Sequence, residues 1–326
     1  MNAMVLADGA GTRIPHITHS YVKQLAVMSA PAPMRTHARS APAHPGRQQH
    51  SADSAMNSPR IPVTGGGLSG SHCTRALIQN PDARGTVLKA LTYAGRSDNF
   101  PPRTGSGGFR LPQGDLHDAA RVDRLAAETG QIVHFVARSR VDRCISGGSS
   151  FTHINIVGIR TLLEADRRRD VRVFGHFPKD EVYGSIASGA TAMTAPLRPS
   201  SCAASKEASD LMALAYHRTH RQDVRVTQCG SNYGPPCQHS EKRIPRFVTR
   251  LLSGRNTALF RRGWDMIDRV QDREGHDQPY VVDDGKICET PGYQPVRDIA
   301  TTVEGTQRWY LDHPSWWRVC TEGAGR

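Results

Sequence analysis

The feature that most limits how this chain can fold lies between residues 61 and 88. A short run, Ile61-Pro62-Val63-Thr64, meets the glycine-rich segment Gly65-Gly66-Gly67-Leu68-Ser69-Gly70. Residues 71–79 then read as a helix, and a second apolar run follows, Gly85-Thr86-Val87-Leu88. A strand, a turn and a helix leading to another strand make a βαβ unit, whose crossover helix requires the two strands to be parallel. Glycines at such a turn let the backbone approach a pyrophosphate, and the helix start offers amides to its negative charge. Standing alone, the same glycines also suit a purely structural turn. Pro62 opposes the assignment, because a proline inside a central strand removes a donor from the ladder.

The alternation continues beyond this unit. Residues 122–128 read as a helix, 131–136 as a strand, 155–167 as a helix and 171–177 as a strand. Such a pattern predicts an α/β fold, a Rossmann-type doubly wound parallel sheet with helices on both faces.

Composition separates the part of the chain that packs from the part that does not. With 37% hydrophobic residues and a mean hydropathy of -0.50, 326 residues hold a real core only if some stretches stay outside it. Residues 29–59, rich in Ala, Pro, Ser, His and Arg without apolar periodicity, are expected to form a disordered linker. The net charge of +12, from 42 basic and 30 acidic residues, suits phosphate-bearing ligands. There is no long Lys/Arg run or basic-aromatic stripe, so the reading as a nucleic-acid binder rests on charge alone, and no specific nucleic acid is expected. Seven cysteines without C-x-x-C spacing read as reduced thiols in a cytoplasmic protein, with no metal site. No apolar run approaches membrane-spanning length.

The chemistry-bearing stretch runs from Lys179 to Lys206. Asp180 and Glu181 are adjacent carboxylates, which a shared site can divide into an acid and a base. By themselves they read more readily as a polar strand end. Lys206, expected to enter a helix four residues after Cys202, lies on the same face as that thiol and can tune it.

From Arg60 to Phe260 the ordered blocks resemble the extended short-chain dehydrogenases, most closely the dTDP-glucose 4,6-dehydratases. They include Gln113-Gly114-Asp115-Leu116, His134-Phe135-Val136-Ala137-Arg138-Ser139, Asp180-Glu181-Val182-Tyr183-Gly184, Ser205-Lys206 and Asn232-Tyr233-Gly234-Pro235. The C-terminal block Asp272-Arg273-x-Gly275-His276 fits the same family. The resemblance implies an NAD-dependent enzyme acting on dTDP-glucose or a related nucleotide-sugar, and a homodimer. The implied reaction is oxidation at C4, elimination of water across C5–C6 and hydride return to C6, with Glu181 as base, Asp180 as acid and Lys206 holding the nicotinamide ribose. It further implies that Gly65, Gly67, Leu68, Ser69 and Gly70 line the pyrophosphate, that Lys89 stands at the ribose, and that Asp115 and Leu116 lie at the adenine. Ala137 and Ser139 would line the inner edge of the cofactor. Asn232, Lys242, Ile244, Pro245, Arg273 and His276 would face the nucleotide-sugar. A separate resemblance covers residues 4–28, where Gly9-x-Gly11-Thr12-Arg13 and Lys23-Gln24-Leu25 are similar to the start of glucose-1-phosphate thymidylyltransferases. The expected organisation is therefore 1–28, a nucleotidyltransferase-like remnant; 29–59, a linker; 60–235, an NAD-binding domain; and 236–326, a truncated nucleotide-sugar region.

Several residues depart from the family pattern. Cys202 occupies the position of the essential Tyr, Lys179 that of a Thr, and Lys89 that of the ribose carboxylate. Several tens of family residues are missing between Phe260 and Gly263. The departures support an alternative, a non-catalytic NAD- or nucleotide-binding remnant of a decayed gene fusion.

Overall fold

A computed structural model describes residues 60–65, 67–78, 83–90, 99–100, 108–137, 149–178, 200–227, 232–235, 243–259, 267–269 and 299–322. The expectations for residues 1–59, Lys179, Asp180, Glu181, Ser139, Lys242, Arg273, His276 and the junction at 260–263 lie outside these residues.

Six strands form one parallel sheet: β1 (Arg60–Thr64), β2 (Arg84–Leu88), β3 (Phe109–Arg110), β4 (Gln131–His134), β5 (Val173–His176) and β6 (Val224–Val226). Their spatial order is β3-β2-β1-β4-β5-β6. The chain builds outward from β1 on one side, then crosses to β4 and builds outward on the other. That reversal opens a crevice beyond the carboxyl ends of β1 and β4, where ligands of such sheets bind.

Period-two alternation assigns each strand residue to one of two cores. Val87, Val133 and Val173 join Val63, Cys73 and Leu77 in one cluster. Their immediate neighbours Leu88, Ile132 and Phe174 join Val122, Ile159, Leu163 and Ala213 in the other. Successive side chains of a strand point to opposite faces, so neighbours that are both apolar require both faces to be covered. Helix α1 (Leu68–Ile78) contributes Cys73 and Leu77 to the first core. Helices α2 (Ala119–Ala127), α4 (Gly158–Arg169) and α5 (Ser201–His220) contribute to the second.

The element bounds differ from the sequence expectation at informative places. Helix α1 begins at Leu68 rather than Ser71, and the Ser71 amide donates to the Gly67 carbonyl at 3.0 Å. The glycine turn is therefore shorter than expected, because Gly70 has no Cβ to hold the helix away from it. Pro62 remains in β1, in register with Thr86 of β2, while pairing with β4 starts at Val63. The proline thus precedes the stretch of β1 that is paired on both sides.

The helix expected over 155–167 is longer and interrupted. Helix α3 (Ser149–Thr152) runs through a π-helical turn, His153–Val157, into α4. Strands β4 and β5 are shorter than expected, ending at His134 and His176. Helix α5 starts at Ser201, so Lys206 lies in its second turn and Cys202 in its first. Ser200 caps α5, its hydroxyl accepting from the Ala203 amide at 3.2 Å. Asp118 caps α2 in the same way through the Arg121 amide at 3.0 Å.

Beyond the sheet, α6 (Arg243–Leu252) precedes a two-stranded parallel pair, β7 (Thr257–Leu259) and β8 (Ile267–Arg269). Two helices, α7 (Ile299–Asp312) and α8 (Pro314–Glu322), complete the described chain.

Candidate dinucleotide and nucleotide-sugar site

The first part of the site is the turn between β1 and α1. Gly65 adopts φ +112°, a conformation that side chains rarely tolerate, and its amide donates to the Leu88 carbonyl at 3.2 Å. A Cβ on Gly70 would stand 1.9 Å from the Gly65 carbonyl oxygen, so only glycine allows α1 to come this close. Leu68, Ser69 and Gly70 form the first turn of α1, where backbone amides lie outside the helix's own ladder. Amides at a helix start beside a close-approaching backbone fit a pyrophosphate. The segment after β4 passes over this turn. A Cβ on Gly65 would meet Phe135 Cβ at 3.3 Å and Val136 Cγ2 at 3.4 Å, which brings the chain leading to Ala137 against the cradle.

A second group sits on α5. Lys206 is 1% exposed, as is Cys202. The Cys202 side chain packs with Phe151 of α3. Asn155, in the π-helical turn, donates through Nδ2 to Ser205 Oγ at 2.9 Å, and that hydroxyl donates to the Cys202 carbonyl at 2.8 Å. The π-turn thereby anchors the α5 segment that carries both residues, and such turns are frequent at functional sites. Asn155 carried no role in the sequence reading. Its signal was only its membership of a block preceding an apparent helix.

Asn232 is joined to the cradle itself, its Nδ2 donating to Ser69 Oγ at 2.5 Å. Next to it, the His72 ring on α1 lies 2.9 Å from both the Leu68 and the Pro235 carbonyls, so the 232–235 segment is fixed to α1 at two points. Burial lowers the proton affinity of His72 more than these hydrogen bonds raise it, and Arg75 adds to the lowering. Ile244 and Pro245 fall in the first turn of α6, half-buried and buried respectively. Burial pushes the thiol of Cys73, beneath α1, up to about 12, which makes it an inert core residue.

Lys89, just past β2, is 5% exposed and holds its ammonium 5.4 Å from the Phe100 ring centroid. Leu116 packs in the second core, whereas the neighbouring Asp115 side chain is 65% exposed. Burial would raise the Asp115 carboxyl. Hydrogen bonds from the His117 amide and ring, with the fields of His117 and His153, outweigh that and hold it below its ordinary value.

A polar chain that the sequence reading missed runs beneath the crevice. Thr64 Oγ1 lies 2.7 Å from His134 Nδ1, and the His134 ring stacks on His176 with centroids 5.3 Å apart. His176 Nε2 lies 2.8 Å from Ser209 Oγ and 3.1 Å from Asp210 Oδ1 on α5. Burial, then the field of His176, pushes the proton affinity of His134 well below its ordinary value. The only available signal was register: His134 and His176 end adjacent strands and pair directly.

Sheet order, a glycine cradle that fits a pyrophosphate and a buried lysine on α5 define an α/β protein of the short-chain dehydrogenase type. Residues 63–266 match the family described as GDP-mannose 4,6 dehydratase. The chain is 38% identical over 286 residues to a dTDP-glucose 4,6-dehydratase of Streptomyces antibioticus, covering 71% of this chain and 84% of that protein. It is 36% identical over 313 residues to the corresponding enzyme of Streptomyces griseus, covering 78% and 95%. Among solved structures it is similar to the dTDP-glucose 4,6-dehydratase DesIV of Streptomyces venezuelae, solved with NAD bound. That match has a TM-score of 0.75 and 36% identity, covering 80% of this chain and 99% of the other. The UDP-glucose 4-epimerase of Thermotoga maritima shares the fold, with a TM-score of 0.70 at 18% identity. The chain belongs to the GDP-mannose 4,6 dehydratase family, whose dehydratases are carbon–oxygen lyases. Among the described residues no helix is long and apolar enough to cross a membrane.

Proposed function

We propose that this chain is a dTDP-glucose 4,6-dehydratase-type protein that binds NAD in the Gly65–Gly70 cradle and a dTDP-linked glucose beside it. The observation that carries this reading is the 36% identity to DesIV, an enzyme solved with NAD bound, across 99% of its length. The intact close approach of Gly70 to Gly65 supports it. Bound NAD would supply the hydride chemistry, taking a hydride from C4 of the sugar and returning one to C6, with the O4 proton passing to the group at position 202, by resemblance a Tyr in the family and a Cys here. In this reading Glu181 takes the C5 proton, which a C4 ketone makes acidic, and Asp180 protonates the departing 6-hydroxyl. Lys206 holds the nicotinamide ribose, and Asn232 positions the nucleotide-sugar against α1. The chain acts in the cytoplasm, as a homodimer.

A second reading, a non-catalytic NAD-binding remnant, has a specific observation in its favour. At the position of the family's catalytic Tyr stands Cys202, a thiol that is 1% exposed and packed with Phe151. A thiol is shorter than a phenol by most of a ring, and proton transfer requires hydrogen-bond reach. The short junction between Phe260 and Gly263, which by the resemblance lacks several tens of family residues, would also favour this reading.

The test is to incubate the full chain and its Cys202→Tyr variant with dTDP-glucose and NAD and to follow the alkaline absorbance of a 4-keto-6-deoxy product. Turnover by Cys202→Tyr above that of the natural chain is expected. Silence from both, alongside calorimetric NAD binding, would establish the remnant.

A further inference from the structure

The chemistry proposed above gives no task to Lys89, although the fold sets it beside the cradle. Thr64 of β1 and Leu88 of β2 are in register, and the residue after β1, Gly65, donates its amide to the Leu88 carbonyl at 3.2 Å. Lys89 follows directly, at the carboxyl end of β2 and about 20 residues past the glycines. In dinucleotide-binding sheets this is the place of the ribose on the adenine side. An acidic side chain there accepts from the 2′-hydroxyl, whereas a basic one accommodates a 2′-phosphate.

The backbone of Lys89 is committed to the sheet. Its amide donates to the Pro112 carbonyl at 3.3 Å, its carbonyl accepts the Gly114 amide at 2.9 Å, and it bridges in parallel to Gln113. These bonds extend the β2–β3 pairing past Leu88 and fix the side of the sheet from which the side chain leaves. Alternation puts it on the face of Val87, the face that α1 covers. Its ammonium accordingly lies 5.4 Å from the ring centroid of Phe100, a member of the same core.

Two guanidiniums fasten the segments on either side. Arg75 of α1 donates through Nε and Nη2 to the Asn99 carbonyl at 3.1 and 2.8 Å, which holds the residue next to Phe100 against α1. Arg121 of α2 donates to the Gln113 carbonyl and also pairs with Asp118 at 3.6 Å. Lys89 itself is 5% exposed. Water screens charges poorly at so buried a position, so a phosphate meeting this ammonium gains more than it would at a surface lysine. A lysine carries donors only. It can therefore take nothing from the 2′-hydroxyl hydrogen of NAD, but it can donate to the oxygens of a 2′-phosphate.

We propose that Lys89 sets the cofactor specificity of this chain by pairing with the 2′-phosphate of NADP, so that the cradle takes the 2′-phosphorylated dinucleotide in preference to NAD. This inference rests on the reading that the cradle binds a nicotinamide dinucleotide. The relative DesIV was solved with NAD, so the preference is assigned to this chain alone, at a position where the family pattern has a carboxylate and this sequence has a lysine.

The experiment is calorimetric titration of the full chain with NAD and with NADP. The natural chain is compared with Lys89→Arg, Lys89→Gln and Lys89→Asp, and thermal melts record that each variant is folded. The natural chain should bind NADP about tenfold more tightly than NAD, the ratio that one charge-assisted hydrogen bond supports. Lys89→Arg should keep that preference, because a guanidinium also pairs with phosphate. In Lys89→Gln the preference should vanish through weaker NADP binding, with NAD affinity unchanged to within about twofold. Lys89→Asp should reverse it, by restoring an acceptor for the 2′-hydroxyl and repelling the phosphate. Equal or tighter binding of NAD by the natural chain overturns the proposal and leaves the cofactor reading standing. An equal loss of both dinucleotides in Lys89→Gln also overturns it, since that is the signature of a merely structural lysine. Binding of neither dinucleotide by the natural chain overturns the cofactor reading and this proposal with it.

Discussion

Replacing Gly70 with alanine tests the closest contact in the site. The added Cβ would stand 1.9 Å from the Gly65 carbonyl oxygen and 2.9 Å from its carbonyl carbon, where real Cβ contacts essentially never fall below 3.0 Å. Both obstructing atoms are backbone, so no side-chain rotation relieves the clash, and α1 and the turn must separate by about 1 Å. Overpacking of this kind costs about 3 kcal/mol at the upper end of its usual range. Alanine recovers up to about 1 kcal/mol through its lower unfolded-state entropy and better helix propensity. The net loss of about 2 kcal/mol corresponds to a melting point lower by about 4–8 °C for a domain of this size. The same displacement moves the first-turn amides of α1 away from the Gly65 backbone, so NAD affinity should fall at least about tenfold. Gly130→Ala is the matched control, because a Cβ there meets nothing within 4 Å and its φ lies outside the left-handed region. Thermal melts and NAD calorimetry on the three proteins decide the matter. If Gly70→Ala melts and binds like Gly130→Ala, the close approach does not hold the cradle and the reasoning is wrong.

Two further outcomes are expected elsewhere in the fold. Gly305 lies inside α7, and a Cβ there meets nothing within 4 Å, so Gly305→Ala should stabilise the protein by about 0.5–1 kcal/mol; a lower urea midpoint would contradict this. His134 makes stability pH-dependent, because burial and the neighbouring His176 hold its folded-state proton affinity well below the ordinary value. Above about pH 6.5 both states carry a neutral ring and His134 adds no pH dependence. Below it, the unfolded chain takes up a proton that the folded chain refuses. Stability is then lost on acidification, by up to about 1.4 kcal/mol per pH unit, until the folded value is reached. Urea unfolding at pH 7 and pH 5 should show a smaller loss for His134→Asn than for the natural chain, and equal losses would remove His134 as the source.

Much of the sheet was legible because local chemistry dictates it. Val87-Leu88, Ile132-Val133 and Val173-Phe174 are apolar pairs with no polar alternation, and neighbours point to opposite faces, so both faces had to be covered. Residues 65–70 announced the cradle because a left-handed Gly65 and a Cβ-free Gly70 leave few other structures for such a turn. The boundaries were less legible. Nothing local to Leu68 shows that α1 can begin there, since that depends on how closely Gly70 approaches Gly65. The π-turn at His153–Val157 likewise follows from what Asn155 and the His153 carbonyl meet on α5 and at His117.

The sequence by itself determined the family and the parallel βαβ plan. Those properties are carried by spacing and by chemistry within a few residues. Only the tertiary structure decided which polar groups meet. His134, His176 and Asp210 join Thr64 to α5, and Asn232 is held on Ser69. The hydrogen-bonded partners in these contacts lie 34 to 163 residues apart. Hydrogen bonds act over about 3 Å, so a pairing of distant residues is created by the packing of the elements that carry them.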